Sequence, residues 1–388
     1  MTMSPLRVVV ALDSLKGSAT ASAAAAAVAA GWHEVRPHDD LVLLPLADGG
    51  EGTADALRSR APAARRHPLT VTGPDGRPAS TSWLALPDGT AVVETATTCG
   101  FTMGTHTEAA DATSTGLGQA LAAAARHPRT RRILVALGGS ASTDGGAGAL
   151  AALGARITGP DGAPIGHGGR ALGSVADVDL RDLVAAPDGG VLCLSDVTAP
   201  LLGARGAARQ FGPQKGAGPE EVALLEAHLE RWAELLGGRP DAPGAGAAGG
   251  LGYALATAWG AELRDGATYL GERLGLGDQL AAADVVITGE GRFDRQSLQG
   301  KVVGHVLDAA APHGVRPLLV CGQMETGVSS VLAVGDVVEL ARLAGSAQRA
   351  MHDPERWLAR AGRTLAARMT RGDGTPVPGR ASRVGEET

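Results

Sequence analysis

The sequence predicts an α/β protein with two sheets: a doubly wound parallel-sheet domain built from both ends of the chain, with a second α/β domain inserted between them. Three observations predict it. Apolar, strand-like runs alternate with helical stretches over residues 7–59 and again after residue 285, which is the pattern of parallel βαβ units. Residues 69–95 instead read as short β runs separated by tight-turn sequences, an antiparallel hairpin texture. Glycine-rich turns carrying a carboxylate or a lysine follow several of the apolar runs, as ligand loops do at the carboxyl ends of strands.

Taken in order, RVVVAL predicts a strand over 7–12, and the alanine-rich stretch after the turn DSLKGS predicts a helix over 19–32. A strand over 41–46, the turn ADGGEG and a helix over 53–59 complete the first parallel unit. Runs over 69–72, 81–86 and 90–95, joined by GPDGRP and PDG, predict the hairpins. A helix over 114–126, a strand over 132–137, a helix over 146–153 and a strand over 191–194 give the insert a mixed sheet. Helical spacing of Val222, Leu224, Leu225, Leu229, Trp232, Leu235 and Leu236 marks an amphipathic helix over 220–236. The parallel pattern resumes with a strand over 285–288, the turn GEGRFD, a helix over 302–311 and strands over 317–321 and 337–340. The expected domains are 1–65 with 275–370, an insert over 66–274 and a flexible tail over 371–388, which is rich in Gly, Pro and charge. A central insert of this kind is expected to place the active cleft between domains.

Bulk properties exclude several functions. A formal charge of −6 lacks the electrostatic footprint of a nucleic-acid binder. Cys99, Cys193 and Cys321 are far apart and without CxxC spacing, so neither a disulfide framework nor a zinc site is expected. MTMSPLR runs directly into the first strand, and the longest apolar run, 19–30, is short and interrupted by Thr20 and Ser22. No secretion signal or membrane span is therefore expected, and the protein reads as cytoplasmic.

Chemistry concentrates in a few turns. LGGSASTDGGAGALAALGA, 137–155, spends glycines and hydroxyls between a strand and a helix, as an anion cradle requires. Of 35 basic residues only Lys16, Lys215 and Lys301 are lysines, and each adjoins a glycine. They are either residual surface lysines or compact point charges for phosphate, where a guanidinium fork would not fit. DGGEGT, 48–53, is either an ordinary left-handed turn with a helix cap or a carboxylate pair suited to Mg²⁺ beside phosphates. SDVTAP presents Asp196 at a strand end, unless that aspartate only forms an Asx turn. The long loop over 201–218 carries Lys215. A literal GxGxxG at Gly244, Gly246 and Gly249 follows a proline-containing loop where a dinucleotide site needs a strand, so a glycine loop touching phosphate or neighbouring backbone fits better. P-loop, HExxH and GxSxG signatures are absent.

Six blocks carry a resemblance: VALDSLKGSATASAAAAAVAAG, PLADGGEGTADAL, LVALGGSASTDGGAGALAALGA, SDVTAPLLGARGAARQFGPQKGA, PGAGAAGGLGYAL and VITGEGRFDRQSLQGKVVGHV. In that order, over about 8–306 with a weaker continuation to about residue 369, the chain resembles the bacterial type I glycerate kinases. The resemblance implies ATP-dependent phosphorylation of D-glycerate with Mg²⁺, by a monomer or homodimer. It also implies a flavodoxin-like doubly wound domain holding an inserted α/β domain like a restriction-endonuclease core. Ala199 stands where the family usually has Asn, and DSLKGS and CGQMETG depart from its usual segments.

Phosphoryl transfer needs positioning and positive charge on the migrating group. On this reading the catalytic candidates are Lys16, Lys215, Lys301, Asp13 and Asp196, with either aspartate as the base. Ser14, Asp48, Gly49, Gly50 and Glu51 are the glycerate candidates, and Glu290 and Asp48 the metal candidates. Gly138, Gly139, Ser140, Thr143, Asp144, Gly145, Gly289 and Gly291 are the ATP-phosphate candidates. The competing readings are a dinucleotide-dependent oxidoreductase of a small hydroxy acid and a two-domain small-molecule sensor.

Overall fold

The computed structural model describes residues 4–103, 108–298, 301–325 and 334–371. Its strands, in chain order, are β1 (Arg7–Leu12), β2 (Asp40–Leu43), β3 (Arg65–Thr72), β4 (Pro78–Ala85), β5 (Thr90–Glu94), β6 (Arg132–Ala136), β7 (Arg156–Thr158), β8 (Asp177–Asp179), β9 (Val191–Ser195), β10 (Glu262–Asp265), β11 (Val285–Phe293), β12 (Arg316–Met324) and β13 (Asp336–Glu339). They fall into two compact units, the first formed by residues 1–46 and 271–388, the second by 47–270.

The first unit contains an all-parallel sheet in the order β13-β12-β11-β1-β2. Val8 pairs with Val285 on one side and Leu41 on the other, so β1 is a central strand. Its near-continuous apolar sequence follows, because a parallel strand covered on both faces has no solvent side. On one face Val8, Val10, Leu12, Ile287 and Val320 pack with Val28, Trp32, Leu358 and Leu365 of helices Ala21–Val35 and Pro354–Arg371. On the other, Leu319 and Cys321 pack with Phe293 and with Val303 of helix Val302–Ala310.

The sequence predicts the first helix from residue 19; it starts at Ala21 because Thr20 is its N-cap, with Oγ1 accepting the amide of Ala23 at 3.1 Å. Thr20→Ala is expected to destabilise the protein by about 1 kcal/mol, seen as a lower midpoint in urea at unchanged slope. Below the same helix Arg36 and Asp39 form a buried pair at 2.5 Å, and Asp39 also accepts the indole N–H of Trp32 at 2.8 Å. Polar atoms are thereby satisfied where the helix turns into β2.

The second unit contains a mixed sheet ordered β10-β9-β6-β5-β4-β3 and a small β7-β8 ladder. β3, β4 and β5 are antiparallel neighbours, whereas β5, β6, β9 and β10 run parallel. Its core includes Trp83, Val93, Leu121, Ile133, Leu150, Trp232 and Tyr253. The short, polar edge strand β10 (ELRD) carries no apolar periodicity and has no counterpart in the sequence reading.

The unit boundaries differ from the expected 65/66 and 274/275. Helix Thr53–Ser59 falls in the second unit, where the amide of Ala54 donates to Glu94 of β5 at 2.9 Å. A helix that follows a strand of one sheet is thus anchored on the other, which strand-helix alternation alone does not reveal. Of the expected tail, 372–388 lies outside the described residues.

Candidate active site

In the second unit the carboxyl ends of the parallel strands gather the predicted residues. β6 ends in the turn Gly138-Gly139-Ser140, and the turn Asp48-Gly49-Gly50 lies against it: the amide of Gly138 donates to the carbonyl of Gly49 at 3.1 Å. The approach is backbone to backbone. A Cβ on Gly138 would stand 2.6 Å from Gly50 Cα, and one on Gly49 would stand 2.8 Å from Leu194 Cβ at the end of β9. A side chain at Gly138 would push the two turns apart, and one at Gly49 would push its turn off the end of β9. Asp48 is buried and its Oδ1 accepts the amide of Gly50 at 3.1 Å, so the carboxylate shapes its own turn. Glu51 is exposed beyond it, and Asp196 follows β9 as a half-buried residue.

Lys215 sits in the helical turn Pro213–Lys215 that follows helix Ala207–Phe211, so the segment read as a loop is locally helical. Its Nζ donates to Ser140 Oγ at 3.1 Å and to the carbonyl of Ser142 at 2.5 Å. Two of the ammonium's three N–H groups hold it at the rim of the Gly138–Ser140 turn, leaving one for a ligand. Burial lowers its pKa to about 8, against the opposing pull of Cys99 and Asp144.

Thr143, Asp144 and Gly145, the other expected phosphate ligands of this segment, lie deeper in the unit. Thr143 and Asp144 are buried, at 0% and 1% exposure. Asp144 accepts the amide and hydroxyl of Ser114, both at 2.8 Å, and the amides of Gly146 at 3.1 Å and Gly148 at 3.3 Å. The start of helix Ala147–Leu153 is therefore already served by a carboxylate of the protein. Gly145 donates to the carbonyl of Gly249 and accepts the indole N–H of Trp232 at 2.9 Å. The accessible part of the cradle is Gly138 and Gly139, with Ser140 buried and its Oγ accepting from Lys215. The GxGxxG stretch is backbone packing too, since a Cβ on Gly249 would lie 2.1 Å from the carbonyl of Ser142.

In the first unit Asp13, Ser14 and Lys16 follow β1, and the amide of Asp13 donates to the carbonyl of Gly289 at 2.9 Å. Asp13 is buried and Lys16 exposed. GEGRFD is not a turn: β11 continues to Phe293, with Glu290 paired to Cys321 and Arg292 to Gln323. Gly289 and Gly291, expected in a phosphate loop, therefore lie within the strand. A Cβ on Gly289 would strike the carbonyl of Val320, and one on Gly291 would lie 3.4 Å from the Lys16 amide nitrogen. Glu290, buried on β11, shares a sheet face with Thr288 and Cys321, and Lys301 is the N-cap of helix Val302–Ala310 on that face.

Of the three segments expected to converge on one edge of the parallel sheet, the Asp13 turn and the Gly289 stretch of β11 lie together in the first unit, and the Asp48 turn belongs to the second. The proposed metal pair, Asp48 and Glu290, is likewise divided between units, and no group of three or more His, Cys, Asp or Glu among the described residues is placed to hold a metal.

Glu94 escaped the sequence reading. It ends β5 beside the end of β6, is 6% exposed, and accepts the Ala54 amide at the start of helix Thr53–Ser59. Burial raises its pKa, opposed by the amides of Ala54 and Gly52 and by Arg66. The available signal was an acidic residue closing the apolar run TAVV.

A family model described as "Glycerate kinase family" matches residues 8–370. Glycerate 2-kinase of Escherichia coli K12 is 36% identical over 379 residues, covering 95% of this chain and 99% of its own. Glycerate kinase of Bacillus subtilis 168 is 37% identical over 343 residues, covering 85% of this chain and 88% of its own. The crystal structure of a Salmonella typhimurium LT2 protein assigned as glycerate kinase 2 superposes with a TM-score of 0.76 at 34% identity, covering 95% of this chain and 100% of that one. The chain belongs to the glycerate kinase family.

Proposed function

We propose that the protein transfers the γ-phosphoryl group of ATP to D-glycerate, with 2-phosphoglycerate as product. The observation that carries the phosphate half of this reading is the Lys215 ammonium, fixed by Ser140 and Ser142 at the rim of the Gly138–Ser140 turn. The regiochemistry rests on the E. coli relative named as a 2-kinase. On the fold side, the first unit's strand order, renumbered along that unit, is 2-1-3-4-5, the flavodoxin-like order, which supports the reading of a flavodoxin-like domain. The mixed sheet of the second unit fits the restriction-endonuclease-like description, and we place the chain in the bacterial type I branch of the family.

Within this reading the amides of Gly138 and Gly139 and the Ser140 hydroxyl hold phosphate oxygens, while Lys215 neutralises charge that accumulates as the group moves. The 2-hydroxyl oxygen forms the new bond to phosphorus as the bond from phosphorus to the β–γ bridging oxygen breaks, and ADP departs. Asp196 takes the hydroxyl proton, because it leaves the same strand-end edge against which the Asp48-Gly49-Gly50 turn packs. That turn, with Glu51, contacts glycerate. In the first unit, Asp13, Ser14, Lys16 and Lys301 are the polar groups assigned to the reaction. Mg²⁺ supplies charge neutralisation on nucleotide phosphates when bound, and of the carboxylates nominated for it from the sequence Asp48 lies in the second unit and Glu290 in the first.

The expected result is ADP release that depends on D-glycerate, with a phosphorus resonance of 2-phosphoglycerate in the product. A 3-phosphoglycerate resonance would reverse the regiochemistry. Absence of ADP release, with either nicotinamide turnover or thermal stabilisation by glycerate alone, would replace the kinase with one of its competitors.

A further inference from the structure

At the opposite end of the second unit's sheet lies a cavity of about 880 Å³ whose walls include Arg65, His67, Asp88, His127, Arg129 and Arg131. It opens where β5 begins at Thr90 and just before β6, at Arg131, whereas the Gly138–Ser140 turn follows the end of β6. At about 3.3 Å per residue the two places are roughly 20 Å apart along the strands. The cavity therefore belongs to neither turn of the candidate active site.

Its chemistry is one-sided. Three guanidinium groups line it, and none of the three has an acidic partner among the described residues. The carboxylate of Asp88 in the wall is already engaged, with Oδ1 accepting the amide of Thr90 at 3.0 Å. Two imidazoles and the residues Thr90 and Thr130 add to the polar lining, and the imidazoles are held in place. His67 stacks on the buried ring of Trp83 with centroids 4.1 Å apart and planes 8° from parallel. His127 meets His67 edge-on at 4.8 Å and Trp83 at 5.3 Å. Burial, then the neighbouring His127 and Arg65, lowers the pKa of His67 below its ordinary 6.5. In a chain of net charge −6, three guanidiniums against one carboxylate leave this wall net positive, around rings whose orientation is fixed before any ligand arrives.

We propose that this cavity is a second ligand site, taking a small multivalent oxyanion, a metabolite with at least two phosphate or carboxylate groups, between the Arg65, Arg129 and Arg131 guanidiniums and the His67–His127 pair. Guanidinium forks recognise such groups bidentately, and a multivalent anion relieves the mutual repulsion of the three. Nothing in this inference depends on the phosphoryl-transfer reading, because no residue of the cavity is among those assigned to the reaction.

The test is a titration of pyrophosphate, and separately of citrate, into the whole protein, followed by NMR of the histidine Cε1 resonances. His67 and His127 are assigned by their loss in His67→Gln and His127→Gln. Both resonances are expected to shift saturably. Arg129→Ser combined with Arg131→Ser is expected to raise the half-saturation concentration roughly tenfold or more while leaving kcat in the absence of the probe unchanged. The two arginines are exposed, so the double variant is expected to fold, which its unchanged kcat verifies. Saturation by pyrophosphate but not citrate selects phosphate over carboxylate ligands. Resonances that stay still in both titrations, or a midpoint identical in the double variant, would overturn the proposal.

Discussion

Lys215→Ala is expected to lower kcat by ~10²–10³-fold, the loss typical of removing one preorganised charge donor from a transition state. Because Lys215 is half-buried and its Nζ bonds only Ser140 Oγ and the Ser142 carbonyl among the described residues, the variant should still fold, with its thermal midpoint close to that of the parent. The pH dependence makes the test specific. The group must be charged to act, and burial lowers its pKa to about 8, so kcat/KM should fall as pH rises through about 8. Once nucleotide phosphates lie beside it the ammonium is favoured, which moves the corresponding limb of kcat to higher pH. Lys215→Arg should lose that limb altogether, since a guanidinium does not titrate there, and should recover only part of the rate because its planar fork does not fit the seat of a point charge. Full turnover in Lys215→Ala would remove this residue from the site.

The second large effect is on stability. Asp144→Ala is expected to destabilise the protein by about 3–4 kcal/mol, because it strands the Ser114 amide and hydroxyl and the amides of Gly146 and Gly148 away from water. Asp144→Asn should be nearly as damaging. Oδ1 faces one donor and Oδ2 faces three, so either amide orientation sets an NH₂ group against an N–H of the protein. The measurement is the urea midpoint, taken together with KM for ATP. A scaffold role predicts a lower midpoint with little change in KM for whatever enzyme remains folded. A normal midpoint with a large rise in KM would return Asp144 to the phosphate site where the sequence alone places it.

That contrast shows what was legible beforehand. The apolar runs RVVVAL, RILVA and VVIT were readable as strands because a strand buried on both faces must be apolar nearly throughout. Helix Thr53–Ser59 and the start of helix Ala147–Leu153 were readable because glycine-rich turns precede them. Lys215 stood out as one of three lysines beside glycines. GEGRFD was misread because its glycines look like turn residues, whereas they serve the close approach of Val320 and of the Leu15–Lys16 backbone to β11. Glu94 and Ser114 carried no motif at all, since their roles consist of accepting or offering hydrogen bonds to segments 40 and 30 residues away.

By itself, the sequence determined the α/β class and the places along the chain of β1, β5, β6, β9 and β11, and it nominated a small set of polar residues for the chemistry. These follow from local rules: apolar periodicity, turn composition and the rarity of lysine. Only the tertiary structure decided that the Asp48 turn is seated on β6 and β9, that Lys215 leans on Ser140, and that Asp144 faces inward while Gly139 faces out. Those choices depend on which backbones can touch and which polar atoms find partners, and both are settled between residues far apart in the chain.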